Sequence, residues 1–115
     1  MPAGKYTLRI EQGAYCARSL TYKDADGVPV DLTGCTARMQ IRDYIEDAEV
    51  KLSISTESGN ITLGGTAGTI DIEILTAQTA TLTTDGYYDL ELILPSGEVE
   101  RILQGQVLLD REVTR

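Results

Sequence analysis

The chain has 115 residues, the size of one domain, and its hydrophobic fraction of 42% includes six Tyr but no Phe or Trp, so we expect one core of mainly aliphatic side chains. Eighteen acidic residues against ten Lys and Arg give a net charge of −8, which repels phosphate backbones and excludes nucleic acid as an expected partner. No stretch reaches the roughly 20 apolar residues that span a bilayer, and the N-terminus lacks the apolar segment of a signal peptide, so we expect synthesis in a cytosol and no membrane contact.

Alternating apolar and polar residues in the first half of the chain predict short strands with one buried face. The first run places Tyr6, Leu8 and Ile10 on the buried face. A second run, residues 14–23, ends at Asp24-Ala25-Asp26-Gly27, whose Asp-Gly step predicts a hairpin. The clearest run turns one set of side chains inward and its neighbours outward: Cys35, Ala37, Met39 and Ile41 inward, and Thr36, Arg38, Gln40 and Arg42 outward.

The second half continues the alternation with one exception. Strands are predicted within 50–57, at 61–63 and at 70–74. In residues 76–82 the apolar spacing lengthens toward that of a helix, and Thr76 can cap it, so one or two helical turns are predicted. Two more strands, 88–94 and 99 to about 109, complete the chain, and Gly105 predicts a bulge or a bend in the last of them.

This series of elements predicts the fold class. About seven to nine strands with one short helical crossover and no βαβ alternation indicate an all-β domain of two antiparallel sheets packed face to face. A closed small barrel is the alternative. We find no internal repeat or linker, so residues 1–115 are expected to form a single β-sandwich domain with a mobile tail after about residue 110.

The composition also restricts the chemistry. Without any His, the chain lacks the commonest base near neutral pH and the commonest metal ligand, which excludes Ser-His-Asp and Cys-His sites. The loop Gly64-Gly65-Thr66-Ala67-Gly68 leads into a strand instead of opening a helix, so it does not match a phosphate loop. We therefore predict a protein that is not an enzyme and has no catalytic residues and no cofactor. Paired carboxylates are the alternative for acid–base chemistry.

Two further groups of residues are compared with metal and disulfide sites. Asp24, Asp26 and Gly27 match half of a calcium loop, but its twelfth position should be Glu and is Cys35, so a plain β-turn is expected and no metal site is predicted. Cys16 and Cys35 are expected to be buried thiols, because the chain has no secretory signal. A disulfide between neighbouring strands is the alternative.

The segment Thr84-Asp85-Gly86-Tyr87-Tyr88-Asp89-Leu90 is the most specific feature of the sequence. It follows the helical crossover and opens a strand, which is the context of the tyrosine corner, where a Tyr hydroxyl bonds to backbone upstream. Tyr88 is the expected corner residue, with Asp85, Gly86 and Leu90 as its structural neighbours. Since Leu90 stands where antibody domains have Cys, the sequence predicts a sandwich that is immunoglobulin-like in general but not of the antibody type.

Five segments carry a pattern that spans nearly the whole chain: Val30-Asp31-Leu32-Thr33-Gly34 continuing to Arg42, Ile61-Thr62-Leu63-Gly64-Gly65, Tyr88-Asp89-Leu90-Glu91-Leu92, Arg101-Ile102-Leu103-Gln104-Gly105-Gln106-Val107 and Glu112-Val113-Thr114-Arg115. Their order and spacing resemble small phage and prophage structural proteins encoded among tail genes, and are similar to the N-terminal domain of phage baseplate upper proteins. These segments are strand and turn signatures, so they say little about location in the particle.

The resemblance implies an architectural role in the virion. We expect a component of a phage tail, baseplate or collar that is made in the host cytoplasm, assembles with itself and binds other virion proteins. The alternative is a module that binds a host-surface glycan, with Tyr15 and Tyr22, or Tyr44 and Tyr87, as its aromatic platform.

Overall fold

The computed structural model describes residues 4–114, in which nine strands form two sheets. The strands are β1 (Gly4–Lys5), β2 (Leu8–Glu11), β3 (Cys16–Thr21), β4 (Thr36–Arg42), β5 (Leu52–Ser55), β6 (Ile61–Leu63), β7 (Thr69–Ile74), β8 (Gly86–Ile93) and β9 (Val99–Asp110). A 3₁₀ turn at Gly65–Ala67 precedes β7, and a four-residue helix α1 (Thr76–Thr79) follows it.

The strand order is that of an immunoglobulin-like β-sandwich. The larger sheet has the order β1-β9-β8-β4-β5, with β2 also paired to β9, and the smaller sheet has the order β3-β7-β6. These are two separate sheets, so the predicted sandwich is confirmed and the closed barrel is wrong. The chain crosses from the smaller sheet back to the larger one through α1, where the sequence predicted its helical crossover.

The first two strands depart from the predicted antiparallel arrangement. Both β1 and β2 run parallel to β9, with Gly4 opposite Leu103 and Leu8 opposite Val107. All other named strand pairs in residues 4–114 are antiparallel. The alternation in the sequence identified β2 but not β1, and Tyr6, which it placed on the buried face, is 48% exposed. Alternation also carries no information about which strand a segment pairs with.

The core lies between the inner faces of the two sheets and is aliphatic, as expected. In β4 the side chains of Ala37, Met39 and Ile41 are buried and those of the intervening residues are not, which confirms the predicted orientation of this strand. Strand β7 contributes three Ile to the opposite wall. The side chains that are fully enclosed include Ile10, Leu32, Met39, Ile54, Ile70, Ile74, Leu90, Leu92 and Val107.

The irregularity predicted in the last strand lies three residues from its expected position. The register between β8 and β9 shifts between Leu90, opposite Leu103, and Glu91, opposite Arg101, so Ile102 is the extra residue of a bulge. Gly105 itself pairs regularly with Tyr88. The predicted bulge at Gly105 is therefore wrong, and this glycine has another role, described below.

The crossover is fastened by side-chain hydrogen bonds. Helix α1 begins at Thr76, so Thr76 is not its cap; instead the Gln78 side chain accepts a hydrogen bond of 2.9 Å from the Leu75 N–H. Thr79 is fully buried, and its hydroxyl donates to the Ala14 carbonyl at 2.8 Å. This bond ties the crossover to the loop that precedes β3.

The chain after β9 remains in contact with the sandwich as far as Glu112. The Arg111 guanidinium donates to the Thr83 carbonyl at 3.2 Å, and the Glu112 N–H donates to the Gln12 side chain at 2.9 Å. α1, the α-helix in residues 4–114, has four residues, far fewer than a bilayer crossing requires.

Candidate functional site

Tyr88, the residue selected from the sequence, makes a hydrogen bond across the larger sheet. Its hydroxyl donates to the Tyr6 carbonyl oxygen at 2.8 Å, and the two residues are 82 positions apart in the chain. A tyrosine corner joins its Tyr to backbone only a few residues upstream. The partner thus differs from the expected one, and the bond holds the N-terminal segment between β1 and β2.

Gly105 explains how this bond can form. It lies opposite Tyr88 in the β8–β9 register, and a Cβ added to it would collide with the Tyr6 carbonyl oxygen. The Tyr6 carbonyl therefore lies over the inner face of the sheet, at the place where a side chain of residue 105 would stand. Because Tyr88 faces the same side, its hydroxyl reaches this oxygen. The backbone pairing with β9 is interrupted between β1 and β2, and the Tyr88 hydroxyl supplies the hydrogen-bond donor that is missing there.

The other three residues of the predicted corner have structural positions of their own. The Asp85 carboxylate accepts a hydrogen bond of 2.8 Å from the Leu109 N–H, which joins the start of β8 to the end of β9. A Cβ at Gly86 would collide with the Arg42 carbonyl, so the close approach of the two backbones requires a glycine here. Leu90 is fully buried in the core.

The outward side chains of the larger sheet form rows that run across the strands. The strand registers place the members of each row side by side: first Lys5, Gln104, Asp89, Gln40 and Ser53; then Gln106, Tyr87 and Arg42; then Arg101, Glu91, Arg38 and Ser55. We call these side chains the large-sheet outer face. The rows themselves were not predicted, because they depend on registers between strands distant in sequence.

Ion pairs join neighbouring members of this face. The Arg38 and Glu91 side chains approach to 2.8 Å, and Arg101 approaches Asp89 to 3.3 Å. Burial raises the pKa of Asp89, and the nearby Glu91 raises it further, while the surrounding Arg side chains act in the opposite direction. Arg42 donates to the Asp47 carbonyl at 2.6 Å and so fixes the loop that follows β4.

The charge of this face is opposite to that of the whole chain. Its three rows hold four cationic and two acidic side chains, and the β2–β9 row on the same side adds Arg9, Glu11 and Asp110. The outward side of the larger sheet therefore has five cationic and four acidic side chains, whereas the rest of the sequence has five cationic and fourteen acidic ones. The face also forms an open groove of about 730 Å³, whose border includes Tyr6, Ile45 and Tyr87. Ile45 is 73% exposed and its neighbour Tyr44 is 63% exposed, so apolar surface flanks a polar floor.

The structure separates one of the two predicted tyrosine platforms. Tyr15 precedes β3 and Tyr22 follows it, so the whole strand lies between them, and the Tyr22 hydroxyl bonds to Glu100 at 3.1 Å. Tyr44 and Tyr87 are closer in the fold, because Tyr87 pairs with Arg42, two residues before Tyr44. Tyr87 is half-buried, and Tyr44 is exposed.

The residues compared with a calcium loop form a turn. The Asp24 carboxylate accepts hydrogen bonds from the N–H groups of Asp26 and Val28, and Gly27 has a φ of +80°. The Asp24 side chain therefore closes a hairpin turn. No group of three or more acidic or Cys side chains able to hold a metal occurs within residues 4–114.

Both cysteines are free thiols in this structure. Cys16 is buried at the start of β3, and Cys35 is half-buried just before β4. Burial is the main cause that raises the pKa of each thiol. A raised pKa lowers the thiolate fraction at neutral pH and with it the reactivity.

Comparisons with known proteins concern the fold. No family model and no curated protein matches the sequence. The immunoglobulin-like domain of mouse leukocyte-associated immunoglobulin-like receptor 1, solved as a strand-swapped dimer, is 18% identical, with 90% of this chain and 88% of that chain covered and a TM-score of 0.47. A structure from work on cell-adhesive interactions of VGSC beta subunits is 12% identical, with 96% and 93% covered and a TM-score of 0.48. Both TM-scores are below 0.5, so the fold assignment rests on this chain's own strand order.

Proposed function

We propose that this chain is a non-catalytic structural protein of a phage tail, baseplate or collar and acts by assembling with other virion proteins. The phage setting rests on the resemblance of its five sequence segments. The mode of action rests on the large-sheet outer face, which is the observation that carries the proposal. Its groove and its ordered side chains are suited to holding another protein.

The composition of this face favours a protein partner. Aromatic side chains and Arg are enriched where proteins bind each other, and Tyr87, Arg42 and Arg101 all lie on this face. The ion pairs Arg38–Glu91 and Arg101–Asp89 hold the long side chains in place before a partner arrives. Such preorganisation lowers the entropy cost of binding.

A particle-based experiment tests the proposal. Phage genomes carrying the wild-type gene should yield particles in which antibody labelling places the protein on the tail, baseplate or collar. Substituting Lys5→Glu together with Arg101→Glu should reduce its incorporation, because both changes reverse charge on the large-sheet outer face. Lys23→Glu, in the exposed hairpin, is the matched control and should incorporate normally. Absence of the wild-type protein from purified particles would overturn the proposal.

A host-surface glycan is the second candidate ligand. The observation that favours it is the groove of about 730 Å³, in which Tyr87 lies among planar amide side chains such as Gln106. Aromatic rings and amides are common in polar ligand sites. A glycan array with purified protein tests this alternative, and binding that is lost in Tyr87→Ala but kept in Tyr15→Ala would favour it over the assembly role.

A further inference from the structure

The outward side of the smaller sheet differs sharply from that of the larger one. Its register pairs Ala17 with Glu73 and Ser19 with Asp71, and all four side chains are exposed. The remaining outward residues of β3, β6 and β7 are Thr, so this surface has no cation and only short neutral side chains around two carboxylates. We call it the small-sheet outer face.

The two outer faces are complementary in charge. With its β2–β9 row, the outward side of the larger sheet has one more cation than acids, and the small-sheet outer face has two acids and no cation. Opposite charges on facing surfaces steer association and fix its orientation. A second copy of this chain therefore offers the large-sheet outer face a partner of the right sign.

Exposed apolar side chains flank both faces. Beside the small-sheet outer face, Tyr15 is 57% exposed next to the start of β3, and Leu75 is 49% exposed just after the end of β7. On the large-sheet side, Tyr6 and Ile45 border the groove. The crossover runs from Leu75 to the start of β8, so both apolar groups lie toward the end of the sandwich that this crossover closes. Stacking copies in the same orientation brings them together.

We propose that copies of this chain associate head to tail, with the large-sheet outer face of one copy packed on the small-sheet outer face of the next. This inference rests on the proposed assembly function and names the partner of the same surface. Because the two contacting faces differ, the contact leaves one free face of each kind at the ends. Repetition of such a contact produces a ring or a stack, according to the rotation between copies.

Sedimentation of the purified chain at low and high salt tests this arrangement. The mean mass of the wild-type protein should rise with concentration at an ionic strength that screens the overall repulsion between two chains of net charge −8. Lys5→Glu, on the larger sheet, and Glu73→Lys, on the smaller sheet, should each raise the dissociation constant about tenfold. Lys23→Glu and Glu57→Lys are matched controls on exposed turns and should associate like the wild type.

Two combinations of these variants identify the head-to-tail geometry. The double variant Lys5→Glu/Glu73→Lys exchanges the charges between the faces, so it should recover much of the association that each single variant loses. A mixture of the two single variants should associate further than either variant alone, because their intact faces form one contact and their exchanged charges form the other. Circular dichroism of each variant verifies that it is folded.

Several results would overturn the inference. A wild-type chain that remains monomeric at high concentration, at low and at high salt alike, contradicts it, as does a double variant no better than either single one. Loss of association in the two control variants to the same degree would assign the effect to net charge. A monomeric chain that is nevertheless present in virions would refute this contact while leaving the proposed function in place, and self-association of a chain absent from virions would do the reverse.

Discussion

The Tyr88 hydroxyl and the Tyr6 carbonyl oxygen lie 2.8 Å apart across the glycine that separates their strands. This bond links β8 to the segment between β1 and β2, and it passes over β9, which lies between them. It supplies a donor to a backbone oxygen that has left the β-ladder. Tyr88 and Gly105, which are distant from β1 and β2 in sequence, therefore add to the attachment that these strands have through their backbone pairing with β9.

Removing the hydroxyl should weaken the fold. We expect Tyr88→Phe to lower the free energy of unfolding by about 1 kcal/mol, because it deletes this hydrogen bond and leaves the Tyr6 oxygen without its donor. Denaturant unfolding measures the loss. Tyr44→Phe, at an exposed tyrosine, is the control and should be unchanged within error. Equal losses in the two variants would show that the Tyr88–Tyr6 bond has no special importance.

A methyl group at position 105 should detach the N-terminal strands. Gly105→Ala places a Cβ against the Tyr6 backbone, and we expect a loss of about 1–3 kcal/mol in stability from this overpacking. In this variant, amide hydrogen exchange in β2 should be faster than in the wild type, while exchange in β4 should be unchanged. Gly4→Ala, in the adjacent strand β1, is the matched control, because its added Cβ would meet Leu103 at an ordinary contact distance of 3.5 Å. Unchanged exchange in β2 would contradict the steric argument.

Alkaline pH should remove the stability that the neutral Tyr88 side chain contributes. Burial raises the pKa of Tyr88 from 10.0 to about 12, so the unfolded chain loses this proton at lower pH than the folded one. The stability contributed by the neutral phenol is therefore present below the unfolded value and is lost as pH rises from there toward about 12. The stability difference between the wild type and Tyr88→Phe should shrink across that interval, and a constant difference would rule out this linkage.

The half-buried Asp89 should cost stability at neutral pH. Its raised pKa means that burial and Glu91 disfavour the carboxylate more than the neighbouring Arg side chains favour it. The stability that this group contributes is present below its unfolded pKa and is lost as pH rises through the folded one. We expect Asp89→Asn to raise the unfolding free energy at neutral pH by a few tenths of a kcal/mol. Glu91→Gln, which removes the partner of Arg38, should give no such gain, and a loss in Asp89→Asn would contradict the argument.

Asn60 should tolerate no negative charge. Its side chain is 5% exposed, and its amide nitrogen donates to the Glu73 carbonyl and the Gln78 side chain, each at 2.7 Å. Asn60→Asp turns an oxygen toward those two oxygens, so we expect a loss of about 2–3 kcal/mol at neutral pH that is partly recovered in acid. Ser96→Asp adds the same charge in an exposed turn and should have little effect. A pH-independent loss would contradict this explanation.

Local patterns in the sequence were sufficient for strands β2 to β9 and for the turn at Asp24. Alternation in β4 reports burial directly, and the Asp-Gly step reports a positive φ at Gly27. The parallel pairing of β1 with β9 could not be predicted in this way, because it is a choice of partner between the two ends of the chain. The role of Gly105 was missed for the same reason, since the atom that demands a glycine belongs to Tyr6.

The candidate site, too, was only partly predictable from the sequence. Alternation predicted that Arg38, Gln40 and Arg42 point outward, and they do. Their neighbours Asp89 and Gln104 join them only through the registers between β4, β8 and β9, which depend on packing of the whole sandwich. The reversed charge of this face is thus invisible in the composition.

The parallel pairing of the terminal strands also determines how the domain responds to force. Residue 4 is aligned with Leu103 and Glu11 with Asp110, so the chain enters and leaves at opposite ends of this strand pair, about 23 Å apart along it. A pull on the two ends acts along the strands and loads their hydrogen bonds together, in shear, instead of opening them one after another. Separating this strand pair by such a pull therefore requires several hydrogen bonds to break together.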